Sequence, residues 1–170
     1  PKEEETPPEE PVTPEDPLRL EIEAAAQASG AELLWVTEPM ELTLGGARLR
    51  VFAPLGAGSA NEEGLSVLCS SGDFDVLMTG DMDGTIERRL VKYGDLPDIE
   101  LLVAGHHGSK YATSEDLLLA VQPEYAVISV GYNRYGHPAP EVLERLAAAG
   151  CESYRTDWSG TLTFTVRDGG

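Results

Sequence analysis

The chain has 170 residues, of which 41% are hydrophobic, and this is enough for one domain with a core of its own. The net charge of −18 at pH 7 excludes a broad nucleic-acid-binding face made of Lys and Arg, but it is compatible with a metal-dependent phosphodiesterase, whose ions require carboxylates. The cysteines, Cys69 and Cys151, are too few and too far apart for a zinc ribbon or a disulfide framework. No apolar run approaches the ~20 residues that a membrane-spanning helix needs.

Residues 1–16 contain five prolines, seven carboxylates and one lysine, and they hold about a third of the net charge. A segment without large apolar side chains gains too little from burial to fold. We therefore expect residues 1–16 to be a disordered acidic, proline-rich tail or linker, and residues 17–170 to be the domain.

The first half of the domain is predicted to be a helix followed by antiparallel strands. Pro17 is placed to begin the helix and Gly30 to end it. Short apolar or alternating runs predict strands, with tight turns at Gly45-Gly46 and Ser71-Gly72. The predicted strands are residues 32–36, 41–44, 48–52, 65–70 and 74–78.

In the second half, strands alternate with helices. Helices are predicted over residues 85–93, ended by Gly94; from the cap Thr113 to residue 121, with Asp116 in a capping box; and from Pro140 to Gly150. Strands are predicted at residues 99–104, 125–130 and 161–166. The order predicts an α/β domain whose sheet is covered by helices on its outer face.

Polar residues collect directly after three predicted strands. Asp81 follows residues 74–78, His106 and His107 follow residues 99–104, and residues 133–137 follow residues 125–130. All three histidines of the chain lie in two of these loops. Loops at strand ends can direct side chains from a rigid sheet into one site, so we expect a functional site there.

Asp81 has two interpretations. It can be the carboxylate at the start of the next helix, or an oxygen ligand that bridges two metal ions. Gly80 permits a tight turn that presents the carboxylate sideways, and Asp83 is the better placed cap before Gly84. These neighbours weaken the helix-start interpretation of Asp81, and both interpretations stay open.

His106 and His107 place two imidazoles at one strand end. Neutral imidazole is a common ligand of zinc and manganese, and a neighbouring imidazole can act as an acid or a base. Ser109 and Lys110 follow, where they could hold an anionic oxygen.

The loop YNRYGHP contributes further candidates. His137 has either a loop-stabilising or a catalytic role, and Arg134 either contacts phosphate or is simply solvated. Asn133 is predicted, with Arg134, to contact substrate.

The segments FDVLMTGD, LLVAGHHGSKYATSEDLLLAVQPEYAVISVGYNRYGHPAPEVLERL and YRTDWSGTLTF resemble the C-terminal metallo-β-lactamase-like domain of ComEC-type competence proteins, over residues 31–166. The resemblance implies an αββα sandwich with a two-metal site, holding zinc or manganese. It implies that Asp81 is the bridging aspartate, that His107 is a ligand, and that His106 is a second ligand or a catalytic neighbour. Lys110 and His137 are then catalytic candidates, and Ser109 contacts substrate.

The family's early HxHxDH motif is absent, because no histidine precedes His106. The resemblance therefore implies an incomplete copy of the domain, either a fragment or a natural form that lost its first half-site. Alone, such a chain is expected to bind metal weakly and to be inactive.

Three functions follow from these observations. The resemblance implies a metal-dependent nuclease or phosphodiesterase that degrades the non-transforming strand of single-stranded DNA, in a soluble domain tethered to a polytopic inner-membrane channel on its outer side. The alternatives are a stand-alone hydrolase of another ester, such as a small-molecule ester, and a non-catalytic docking domain with a degenerate metal site.

Overall fold

The structure is a computed structural model that describes residues 17–56, 61 and 63–166. The predicted tail, residues 1–16, lies outside the described residues. The chain divides into two units, of which the first ends at Trp35. This unit contains helix α1 (Pro17–Ser29), as predicted, and Gly30 follows it with φ +70°. The strand predicted at residues 32–36 is wrong, since this segment has no ladder partner among the described residues.

The second unit, from Val36 onward, is built on one seven-stranded sheet. Its strands lie side by side in the order of the chain. They are β1 (Met40–Leu44), β2 (Ala47–Phe52), β3 (Ser66–Ser71), β4 (Phe74–Met78), β5 (Leu101–Val103), β6 (Tyr125–Ile128) and β7 (Glu152–Arg155).

Strands β1 to β4 are antiparallel, and β4 to β7 are parallel. The sequence predicts antiparallel strands followed by alternating strands and helices, but it does not predict β7, which lies outside every predicted strand. The change of direction has a local cause: two-residue turns reverse the chain after β1 and after β3, whereas a helix returns it to the same end of the sheet. The β1–β2 turn is Gly45-Gly46, as predicted. The β3–β4 turn is Gly72-Asp73, one residue later than predicted, because Ser71 still pairs with Phe74.

Helices connect the parallel strands, and a further short helix follows the last of them. They are α2 (Gly84–Tyr93), α3 (Glu115–Val121), α4 (Pro140–Ala148) and α5 (Thr156–Ser159). Asp83 caps α2 as expected, since its carboxylate accepts hydrogen bonds from the amides of Thr85 and Ile86. Helices α2, α3 and α4 pack with alternate strand residues, such as Leu68, Leu77 and Ala126, into one buried core.

The other face of the sheet is also apolar, but it is only half-buried. The strand register aligns its side chains across neighbouring strands, from Leu49 through Cys69 and Val76. Residues of this second face are half-buried or exposed, and they include Leu42, Leu49, Val51, Val67, Cys69, Val76, Met78, Val103 and Val127. A sheet that is apolar on both faces is typical of one layer in a larger stack.

Two further predictions are wrong. Residues 161–166 form no strand, although Phe164 packs against Tyr125 and Tyr154 with ring centroids 6.2 and 6.1 Å apart. Ser114, rather than Thr113, caps α3: its hydroxyl accepts from the amide of Leu117, and no capping box with Asp116 forms. In addition, β5 and β6 are shorter than predicted. No helix among the described residues has the length and apolar character to cross a membrane.

Candidate active site

The candidate site lies at the carboxyl ends of the parallel strands. Asp81 follows β4, His106 and His107 follow β5, residues 129–137 follow β6, and Thr156 follows β7. The carboxyl ends of neighbouring parallel strands meet at one edge of a sheet, which is where α/β proteins bind ligands. The amide of His106 donates to the carbonyl of Gly80 over 3.0 Å, so the first two loops are joined directly.

His106 and His107 form a tight turn with an uncommon backbone. Both have positive φ, 49° and 55°, within the 3-10 turn Gly105–Gly108. Residues other than glycine adopt this left-handed conformation at an energetic cost, and such residues concentrate at functional sites. Buried glycines flank the pair: a Cβ on Gly105 would meet Thr79 Oγ1 at 3.0 Å, and a Cβ on Gly108 would meet Pro138 Cβ at 2.6 Å.

His107 is oriented by a backbone carbonyl. Its Nδ1 lies 2.7 Å from the carbonyl oxygen of Ser129, which can only accept, so Nδ1 carries the proton. In the neutral ring this tautomer leaves the lone pair on Nε2, which lies 3.9 Å from Asp81 Oδ1. A backbone acceptor behind one imidazole nitrogen is the usual support of a histidine that ligates metal through the other. Both side chains are accessible, 57% for His107 and 46% for Asp81.

The three histidines form one cluster. The ring centroid of His106 lies 6.5 Å from that of His107 and 5.9 Å from that of His137. Burial lowers the pKa of His137, and the neighbouring His106 and His107 lower it further. Its Nδ1 is buried and has no hydrogen-bond partner among the described residues. The structure thus brings together the histidines that the sequence singles out.

The other predicted residues are distributed differently. The hydroxyl of Ser109, a 3% exposed residue, accepts from the amide of Tyr111, inside the loop. Lys110 lies over the Tyr111 ring at 5.0 Å and lines a separate depression with Arg88 and Asp116. Arg134 is exposed. Contacts of Ser109, Lys110 and Arg134 with a substrate remain predictions.

The side-chain amide of Asn133 stabilises the loop to which it belongs. Its amide nitrogen donates to the carbonyls of Gly131 and His137 over 2.9 and 2.8 Å. Its amide oxygen accepts from the amides of Tyr135 and His137 over 3.1 and 3.0 Å. These four bonds occupy the amide fully. The predicted substrate contact of Asn133 remains a prediction, beside this observed role in fixing the loop.

Two residues that the sequence analysis missed support the histidine loop from behind. Glu87 of α2 is fully buried, and its carboxylate accepts from the amides of Thr113 and Ser114 over 2.6 and 2.7 Å. Arg145 of α4 donates to the carbonyls of Lys110, Ala112 and Thr113. The sequence does contain a sign of this role, because Glu87 lies beside Ile86 and Leu90 on the apolar face of α2. A charged side chain that is buried there needs hydrogen-bond partners.

Metal ligands are incomplete in the described part of the chain. Residues 17–56, 61 and 63–166 contain no group of three or more His, Cys, Asp or Glu side chains arranged to hold a metal ion. Asp81 and His107 have the chemistry and orientation of ligands, but two ligands fall short of the four that zinc takes in most proteins.

Comparison with curated proteins identifies relatives in bacterial competence, and no protein-family model matches the chain. Competence protein ComA of Neisseria gonorrhoeae is 47% identical over 102 residues, which is 59% of this chain and 15% of that protein. ComE operon protein 3 of Bacillus subtilis is 28% identical over 156 residues, which is 90% of this chain and 20% of that protein. Recombination protein 2 of Haemophilus influenzae is 40% identical over 87 residues. The chain therefore spans a fifth or less of the length of these relatives.

Among solved structures, the chain is similar to CmlA, a diiron beta-hydroxylase from Streptomyces venezuelae, with a TM-score of 0.52 and 13% identity. The match covers 75% of this chain and 34% of CmlA. A mutant of CmlA gives a TM-score of 0.50. CmlA has the metallo-β-lactamase fold, so the α/β, metallo-β-lactamase-like fold predicted from the sequence is confirmed. In sequence, the chain is homologous to competence proteins.

Proposed function

We propose that the chain provides one side of a metal-dependent nuclease site in a DNA-uptake protein, which degrades the strand of DNA that is not taken up. The observation that carries the proposal is His107, whose Nδ1 is bound by the Ser129 carbonyl so that Nε2 stands 3.9 Å from Asp81. The homology to competence proteins supports DNA as the substrate.

Asp81 and His107 are the residues that would hold a divalent ion, zinc or manganese. The CmlA likeness supports the use of metal in this fold, and the remaining ligands would come from residues outside the described part of the chain. A divalent ion bound there supplies a water of lowered pKa and neutralises charge on a phosphate.

The chain's own residues would bind and orient the phosphodiester. His106 lies between His107 and His137 and would donate a hydrogen bond to a non-bridging oxygen. His137 would line the same pocket, which His107 and Asn133 also border. Lys110 faces a different depression, so its part would be to attract the polyanion to this edge of the sheet.

The setting of the domain is part of the proposal. The competence relatives support a place in membrane-associated uptake machinery, with single-stranded DNA and the rest of a polytopic channel protein as partners. We place the domain on the outer side of the membrane, where the unused strand would be degraded.

Metal-stimulated cleavage of single-stranded DNA by the complete protein tests this function. Removing a group that supports a ligand costs 10- to 100-fold in many sites, so removing the ligand itself in Asp81→Ala or His107→Ala should lower the cleavage rate by at least about 100-fold. Asp73→Ala, in the exposed β3–β4 turn, is the matched control and should cleave normally. Undiminished cleavage by Asp81→Ala would rule out the assignment.

A second function is favoured by the incomplete ligand set in the described residues. In that case the domain is a non-catalytic docking module that keeps the fold and has lost the chemistry. The complete protein would then contain no bound metal and would leave DNA intact, with or without added zinc or manganese.

A further inference from the structure

The loop between β6 and α4, residues 131–137, displays two tyrosines that the proposed function does not use. Tyr132 is 97% exposed and Tyr135 is 84% exposed. Each aromatic ring offers a large apolar surface whose burial stabilises a complex strongly. Two such rings within four residues, beside a candidate active site, indicate a surface for a ligand rather than for the core.

The backbone that carries these rings is fixed before any ligand arrives. The four hydrogen bonds of the Asn133 amide tie Gly131, Tyr135 and His137 into one closed loop. The amide of Ala139, just beyond, donates to the carbonyl of Gly108 over 2.8 Å and so links the loop to the histidine turn. A ligand that binds here therefore does not have to order the loop.

The tyrosines border the candidate site itself. Tyr132 and Tyr135 line a depression of about 330 Å³ together with His107 and His137. The ring of Tyr135 lies nearly parallel to that of His137, with 21° between the planes and 5.9 Å between the centroids. A planar group stacked on this surface would reach the same depression as the predicted metal ligand.

A positive charge in the loop indicates which class of ligand the tyrosines would bind. Arg134 lies between the two tyrosines in the sequence, and its side chain is exposed. It is the sole Lys or Arg of residues 131–137, in a chain whose net charge is −18. Aromatic rings for the bases and a cation for the backbone are the combination by which proteins hold single strands of nucleic acid. Tyrosine and arginine are also common at protein–protein interfaces. However, the two tyrosines line the same depression as His107, and this favours the DNA substrate over a protein partner.

We propose that Tyr132 and Tyr135 form a stacking platform for unpaired nucleobases, with Arg134 on the adjoining phosphate. This proposal rests on the proposed function, since it takes the depression beside His107 as the place of a phosphodiester. The platform holds the strand by its bases while the scissile bond lies in the depression. Paired bases in a duplex present no free ring face, so the platform selects single strands.

Binding of oligonucleotides to the complete protein, measured by fluorescence anisotropy with chelator present, tests the platform without any cleavage. Removing the aromatic ring on which one base stacks weakens binding by about tenfold. Tyr135→Ala should therefore raise the Kd for an oligothymidine by about tenfold, and the double variant Tyr132→Ala/Tyr135→Ala should raise it further. An abasic strand of the same length and charge should bind the variants and the wild type equally. Tyr135→Phe should restore binding, because the ring is kept.

The control is Tyr93→Ala, a 66% exposed tyrosine at the end of α2, which should leave both affinities unchanged. A uridine ribo-oligonucleotide tests whether the platform distinguishes the two sugars: a loss of binding on both strands, or on oligothymidine alone, supports base stacking. Unchanged oligothymidine binding by the double variant, an equal loss on the abasic strand, or no binding by the wild type would overturn the platform.

Because the chelator removes metal, the outcome is independent of nuclease activity. A wild type that binds through the tyrosines but never cleaves DNA would contradict the proposed function and leave the platform standing.

Discussion

At the scale of single residues, His107 shows how a backbone contact prepares a side chain for its role. The Ser129 carbonyl accepts the hydrogen bond of Nδ1, and Nε2 lies 3.9 Å from Asp81 Oδ1. The sequence indicates both proposed ligands, because imidazoles and a carboxylate follow predicted strands. The sequence does not reveal that the Ser129 carbonyl supports His107. Every residue has a carbonyl, and only the fold brings this one within 2.7 Å of Nδ1.

Gly108→Ala should disturb the histidine turn. Gly108 has φ +79°, and an added Cβ would lie 2.6 Å from Pro138 Cβ and 3.1 Å from Ile128 Cγ2. Left-handed strain of 1–2 kcal/mol and overpacking of 1–3 kcal/mol predict a loss of about 3 kcal/mol in the free energy of unfolding, measured in urea. Gly46→Ala is the control, since no atom lies within 4 Å there and its φ is not positive. Equal stability of the two variants would contradict this account.

At the scale of elements, helices α1 to α4 are predicted well because their signals are local, whereas the short helix α5 is not predicted. Pro17, Asp83 and Gly94 mark helix ends in the sequence and in the structure. Strands depend on neighbours, so residues 32–36 and 161–166 have strand-like sequences and no ladder. Thr113 has the chemistry of a cap, but its hydroxyl accepts from the amide of Gly105 instead, over a separation that sequence patterns do not reveal.

Glu87 of α2 makes the stability of the folded chain depend on pH. Burial is the largest influence and raises the pKa of Glu87 above 4.5, while hydrogen bonds from Ser114 and Thr113 and the charge of Arg145 oppose the rise. The folded chain therefore binds this proton more tightly than the unfolded chain does. The stability that Glu87 contributes is complete below about pH 4.5 and decreases as the pH rises through the folded pKa.

Glu87→Gln removes this titration and leaves one of the two amides, that of Thr113 or Ser114, facing another donor. We expect a loss of about 1–3 kcal/mol in the free energy of unfolding, largest near pH 4.5 and smaller at pH 7. Urea unfolding at several pH values measures it. The exposed Glu144→Gln on α4 should stay close to the wild type throughout. A difference for Glu87→Gln that grows from pH 4.5 to pH 7 would show that burial does not dominate.

At the scale of the whole molecule, the sheet has two apolar faces and one of them is only half-buried. Helices α2, α3 and α4 build the core on the first face. The resemblance to metallo-β-lactamase-like domains implies an αββα sandwich, in which a second layer would cover the other face, and the match covers 34% of CmlA. We therefore propose that the missing metal ligands belong to that second layer. The early HxHxDH motif, which this sequence lacks, is the candidate source.

Elemental analysis of the complete protein tests most directly whether Asp81 and His107 belong to a metal site. We expect the purified wild type to retain zinc or manganese and the double variant Asp81→Ala/His107→Ala to lose at least one ion per molecule, because a site deprived of two ligands is too poor to hold it. Asp73→Ala should retain the wild-type content. A double variant with the same metal content as the wild type, or a wild type without metal, would show that Asp81 and His107 are not metal ligands.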